Sequence, residues 1–182
     1  MELQITLLIA SSMLLGYMVK SRWGLNNKPL WVDQITGLPN RADFERSVEI
    51  GLRSSRNIGL IIIDLDDFKS VNDHQGHLAG DRLLRQAAEI LLNATCDTGT
   101  LFRWGGDEFV LLIPAASDTL DSTCISIEQQ FQSANLGLSC STGSTWQQAN
   151  DTAITLFERA DQNLYSNKSL SLIHISEPTR RS

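Results

Sequence analysis

Ile58 to Leu65 (IGLIIIDL) is an unbroken apolar run closed by an acid, the pattern of a strand buried on both faces. Ahead of it, Ala42 to Arg53 carries Phe44, Val48 and Leu52 at four-residue spacing, which predicts a helix. Leu78 to Leu92 presents Leu83, Leu84, Ala87, Ala88, Leu91 and Leu92, a strongly amphipathic helix. Thr100 to Arg103 and Glu108 to Ile113 flank Gly105-Gly106, so two strands are expected to meet at a tight hairpin. Leu120 to Ser133 reads as a helix and Leu136 to Thr145 alternates like a strand. Ala149 to Ser166 reads as a last helix, with Ile154, Phe157, Ala160 and Leu164 on one face. The order β-α-β-β-α-β behind an extra helix predicts the α/β class, as an α+β sandwich of ferredoxin-like type. There is no internal repeat and no low-complexity tract.

The two ends break this pattern. Leu3 to Val19 runs for 17 residues without a charge, at the short end of the about 17–25 residues that span a bilayer. Only Glu2 precedes it, whereas Lys20, Arg22 and Lys28 follow, with Trp23 as an interfacial anchor. Residues 1–20 are therefore expected to form a single transmembrane anchor with the basic side in the cytoplasm; a signal peptide and a buried or interfacial helix are the alternatives. Residues 21–32, including the polar LNNKPL, form a linker. From Leu170 the composition shifts abruptly. The stretch LSLIHISEPTR resembles the conceptual translation of a transposase-type sequencing adapter, so 170–182 is expected to be a non-native tail that truncates a domain spanning 33–169; the alternative is a natural polar tail.

Composition narrows the function. With 182 residues, 42 % hydrophobic and 20 % charged, the chain is too apolar for disorder and too short for a large multi-domain enzyme. A net charge of −6 argues against a nucleic-acid partner held by a positive field. Cys96, Cys124 and Cys140 lie far apart without a C-x-x-C pair, so neither a disulfide framework nor a zinc site is expected.

Several residues have the chemistry of a phosphate and cation site. Asp64 closes the buried strand within DLDDF, a place where a hard cation can bind; taken alone, Asp64, Asp66 and Asp67 read more simply as strand-end solvation or helix caps. An EF-hand is excluded, because Lys69 stands where its loop needs glycine and Gln75 where it needs glutamate. Asp107 and Glu108 sit at the tip of the Gly105-Gly106 hairpin, where missing side chains admit a phosphate and two carboxylates can hold an ion or take a proton. An ordinary charged hairpin tip is the plainer alternative. Lys69 offers a phosphate partner or a solvated charge. Asn72 with Asp81 can read a guanine edge, since the carboxylate accepts from the ring N–H and exocyclic amine that adenine lacks. His74 and His77 suit packing or capping better than zinc.

These signals occur in one order. The segments Asp33–Arg41 (DQITGLPNR), Asp64–Asp73 (DLDDFKSVND), Gly76–Asp81 (GHLAGD), Gly105–Phe109 (GGDEF) and Ala160–Tyr165 with Lys168 resemble the GGDEF family of diguanylate cyclases over 33–169. The resemblance implies a palm-type nucleotidyl-cyclase fold and a reaction in which two GTP condense to cyclic di-GMP with release of two pyrophosphates at a homodimer interface. It implies that Asp64, the Leu65 carbonyl and Asp107 bind two Mg²⁺ or Mn²⁺ per site. It further implies that Asp107, aided by Glu108, deprotonates the attacking hydroxyl, that Lys69 and Lys168 hold the β- and γ-phosphates, that Gly105 and Gly106 admit the nucleotide, and that Asn72 and Asp81 select guanine. A cyclase of this kind with an anchor at 1–20 would sit in the inner (cytoplasmic) membrane, single-pass, with its catalytic domain in the cytoplasm. The chain departs from the family in two places: Cys96 and Gly99 replace the inhibitory Arg-x-x-Asp, which implies insensitivity to product by that route, and Leu172 replaces a phosphate-binding arginine. A catalytically silent GTP-binding GGDEF module is the competing reading.

Overall fold

In the computed structural model, which describes residues 31–54, 57–114 and 120–175, Ile58–Leu65 forms β1, and all its residues except Asp64 are buried. It lies inside a four-stranded antiparallel sheet with β2 (Thr100–Gly105), β3 (Glu108–Pro114) and β4 (Cys140–Trp146), in the order β2-β3-β1-β4. Five helices surround it: α1 (Arg41–Arg53), α2 (Phe68–Gln75), α3 (His77–Ala94), α4 (Leu120–Ala134) and α5 (Ala153–Ile175). The period of two in β1 sends Ile61, Ile63 and Leu65 toward Leu84, Ala87 and Leu91 of α3 and Ile127 and Phe131 of α4. The alternate residues Ile58, Leu60 and Ile62 face Phe44 and Val48 of α1 and Leu156, Ala160 and Leu164 of α5. Both faces are thus covered, which explains why the strand reads as a continuous apolar run.

The β-α-β-β-α-β order and the α+β sandwich are as expected, and Asn40 caps α1 through side-chain bonds from the Ala42 and Asp43 amides. Four details differ. Helix α2 lacks a readable apolar stripe because it buries only Phe68. Strand β4 starts at Cys140, since left-handed Asn135 (φ 50°) and Gly137 (φ 69°) turn the chain after α4. Helix α5 begins at Ala153, where the Thr152 hydroxyl accepts from the Thr155 amide, and continues past Ser166 to Ile175 because no glycine or proline interrupts it. Ile154 is exposed, and Leu156 takes the core position instead. The expected anchor at 1–20, most of the linker and 176–182 lie outside the described residues; among those described, no helix is long and apolar enough to cross a membrane.

Candidate active site

The site begins where the sheet ends. Strand pairing sets Asp64 opposite Glu108 on β3 and opposite Ser141 on β4. The Leu65 amide donates to the Asp107 carbonyl at 3.2 Å, so the hairpin tip is fastened to the end of β1. From α5, Lys168 pairs with Asp64 and reaches within 3.9 Å of Asp66. Asp66 is itself clamped by hydroxyls donated from Ser139 at 2.7 Å and Ser141 at 2.8 Å. Asp64, Asp107, Glu108 and Lys168 are therefore brought together from three segments: β1, the β2–β3 hairpin and α5.

Their charges are in tension. Burial pushes the Asp64 carboxyl above its usual range, Asp107 and Asp66 push the same way, and Lys168 opposes them. Burial also raises Glu108, reinforced by Asp64, Asp107 and Asp161 against Lys168. A half-buried, all-oxygen, net negative donor set has the chemistry of a hard divalent cation site, and the Asp64 and Asp107 carboxylates are the side chains that could hold one. Among the described residues no group of three or more His, Cys, Asp or Glu side chains forms a metal cage. The same tension gives a prediction: in metal-free buffer, Glu108→Gln removes one repelled charge, and thermal unfolding should show a melting temperature above wild type.

Arg103 supports the hairpin from beneath. It occupies an inward position on β2 and is only 7 % exposed. Its Nη1 donates to Asp33 at 2.7 Å and its Nη2 to the Gly106 carbonyl at 2.7 Å, while its amide donates to the Pro39 carbonyl at 2.9 Å. Asp33 also accepts from the Ile35 and Thr36 amides and the Thr36 hydroxyl. Burial would lift the Asp33 carboxyl, but Arg103 and Thr36 outweigh it and hold it below the usual range. The segment Asp33–Arg41 is thus a buttress for the turn that carries Asp107. Trp104 adds a second hold: it stacks on Phe157 of α5 with centroids 4.4 Å apart and receives Arg41 at 4.1 Å over its ring. Neither hold was a sequence expectation; the available signal was a charged residue at an inward-facing strand position.

The second group lies on α2 and α3. Lys69 is exposed on the first turn of α2, and Asn72 follows one turn later. A β-carbon at Gly80 would fall within the Asn72 amide and 3.1 Å from Phe68 Cζ. Gly80, one residue ahead of Asp81, therefore lets α3 approach α2 closely at Asn72. His74 is exposed and bonded to the Ser70 carbonyl at 2.7 Å, a local contact within α2, and His77 is exposed at the start of α3. Gly80→Ala should displace the Asn72 amide and loosen the packing of α3 on α2, which thermal unfolding should show as a lower melting temperature.

An antiparallel sheet with helices on both faces thus brings carboxylates of its central strand and adjacent hairpin beside a lysine. The chain belongs to the GGDEF family: residues 30–171 match the family described as diguanylate cyclase, GGDEF domain. It is 36 % identical over 148 residues to the diguanylate cyclase DgcP of Pseudomonas aeruginosa, a match covering 75 % of this chain and 22 % of that protein. It is 34 % identical over 144 residues to the diguanylate cyclase DgcS of Shewanella oneidensis, covering 75 % of this chain and 49 % of that one. The chain thus spans less than half the length of these relatives. Among solved structures, the GGDEF domain of TpbB (YfiN) from Pseudomonas aeruginosa is 31 % identical with a TM-score of 0.69, covering 76 % of this chain and 89 % of that one. A sensory box/GGDEF family protein from Caulobacter crescentus is 30 % identical with a TM-score of 0.66, covering 76 % and 98 %.

Proposed function

We propose that this protein is an active diguanylate cyclase that condenses two GTP into cyclic di-GMP and two pyrophosphates. The observation that carries the reading is the convergence of Asp64, Asp107, Glu108 and Lys168 at the open end of β1, behind an intact GGDEF turn. Each protomer of a homodimer would hold one GTP. The 3′-hydroxyl oxygen of one bonds to the α-phosphorus of the other, the bond to the β-phosphate oxygen breaks, and pyrophosphate leaves; the same exchange then closes the ring. Asp107, aided by Glu108, takes the hydroxyl proton; burial and the neighbouring carboxylates raise the Glu108 carboxyl above its usual range, which strengthens it as a base. Lys168 and Lys69 hold the β- and γ-phosphates, Gly105 and Gly106 leave room for them, and Asn72 with Asp81 selects guanine. Asp64, the Leu65 carbonyl and Asp107 would hold two Mg²⁺ or Mn²⁺, which supply charge neutralisation at the transferred phosphate when bound. The uncharged run at 3–19 and the basic residues after it support an inner-membrane anchor with the domain in the cytoplasm.

Guanine selection tests the reading. With Mg²⁺ present, wild type should turn over GTP and leave ATP untouched, and Asp81→Ser should narrow that preference on the order of a hundredfold. An unaltered preference in that variant would remove Asp81 from base recognition, and no turnover of either nucleotide by a dimeric, GTP-binding wild type would favour the silent module.

A further inference from the structure

Strand β4 is an outer strand of the sheet, and one side of its backbone faces away from β1. The Gln147 amide donates to the Ile58 carbonyl at 2.8 Å, and by the alternation of an antiparallel ladder the carbonyls of Thr142, Ser144 and Trp146 point outward. Helix α5 occupies all three. Arg159 Nη2 donates to the Trp146 carbonyl at 3.1 Å, Asn163 Nδ2 to Ser144 at 2.8 Å and Asn167 Nδ2 to Thr142 at 2.9 Å. The match is geometric: four residues of helix rise about 6 Å, and two residues of strand advance about 6.8 Å. A helix running antiparallel along the edge can therefore offer one side chain per outward carbonyl. Gly143 permits the approach, since a β-carbon there would overlap the Leu164 amide and the Ala160 carbonyl.

We propose that Asn163 and Asn167 are positioning residues: with Arg159 they form a side-chain ladder that sets the register of α5 along β4, and this register puts the Lys168 ammonium on Asp64. Lys168 directly follows the last rung, so a slip of one carbonyl would carry its amine about 6.8 Å along the strand and off the end of β1. The core alone does not set this position as sharply, because Leu156, Ala160 and Leu164 pack without directional bonds. Arg159 has further partners in Asp151 and Thr145, so the two asparagines are the clean rungs to remove. Alanine has a higher helix propensity than asparagine, so α5 is expected to persist without them.

The inference rests on the reading of Lys168 as a phosphate-holding residue, and two measurements on the full chain separate the two ideas. The first is zero-length coupling with a water-soluble carbodiimide, which joins an amine to a carboxylate only where they touch, read as the Lys168–Asp64 cross-linked peptide by mass spectrometry. Asn163→Ala/Asn167→Ala should lower its yield several-fold at an unchanged fold by circular dichroism, and Asn163→Gln/Asn167→Gln, which keeps the amide donors, should restore much of it. The second is GTP affinity by calorimetry: the alanine pair should weaken binding about five- to tenfold, and should add nothing to Lys168→Met. An unchanged coupling yield, with or without a lower melting temperature, makes the ladder a merely structural feature and overturns the proposal. Should Lys168→Met leave GTP affinity untouched, the phosphate role of Lys168 fails while the coupling yield still decides the register. If the alanine pair does not fold, each single substitution removes one rung and is read in the same way.

Discussion

If the proposed role of Asp107 at the transferred phosphate holds, Asp107→Ala cuts cyclic di-GMP synthesis by on the order of a thousandfold or more while leaving the domain folded. Its backbone carbonyl, which accepts from the Leu65 amide, survives the substitution, so the hairpin stays fastened to β1. The lost carboxylate is also one of those that push Asp64 and Glu108 upward, and its removal relieves repulsion. Activity and stability should therefore move in opposite directions, with product formation falling below detection and the melting temperature of the metal-free protein holding or rising. Loss of activity accompanied by a lower melting temperature would place Asp107 in the structure rather than in the chemistry.

The second large effect concerns stability. Arg103→Met should cost about 3–5 kcal/mol, because it leaves the partly buried Asp33 carboxylate without its counter-charge and the Gly106 carbonyl without its donor. For a domain of this size that corresponds to a melting temperature lower by roughly 10 °C. Asp33 carries a pH signature of the same contact. Its folded pKa lies below its unfolded one, so its contribution to stability is present above the ordinary carboxylate range and is lost as pH falls through the lowered value. The gap in melting temperature between wild type and Asp33→Asn should thus be complete at neutral pH and shrink below about pH 4. Equal gaps at both pH values would show that the Asp33 charge does not stabilise the buttress.

Much of this molecule is legible one residue at a time. The run IGLIIIDL could only be a strand covered on both sides, and the spacing of Leu83, Leu84, Ala87, Ala88 and Leu91 could only be a helix with a wide apolar stripe. The Gly-Gly turn and the acids around it pointed to one site because they cluster at chain reversals, where strand ends converge. What could not be read was long-range and polar. Arg103 and Asp33 are 70 residues apart, and no local pattern joins them. The rungs Asn163 and Asn167 look like solvated helix residues until the outward carbonyls of β4 are known. Ile154 is exposed because it lies in the first turn of α5 at the rim of the stripe, whose buried positions are Leu156, Ala160 and Leu164. Helix α2 is illegible for a different reason: eight residues that bury one phenylalanine carry no period to detect.

The central claim, that the carboxylates at the end of β1 serve cyclic di-GMP synthesis, is tested most directly by product analysis. The full chain is incubated with GTP and Mg²⁺, beside an Asp107→Ala control, and the nucleotides are read by mass spectrometry. Cyclic di-GMP with pyrophosphate from wild type, and neither from the control, is the predicted result. Bound but unreacted GTP in a dimeric wild type would contradict it.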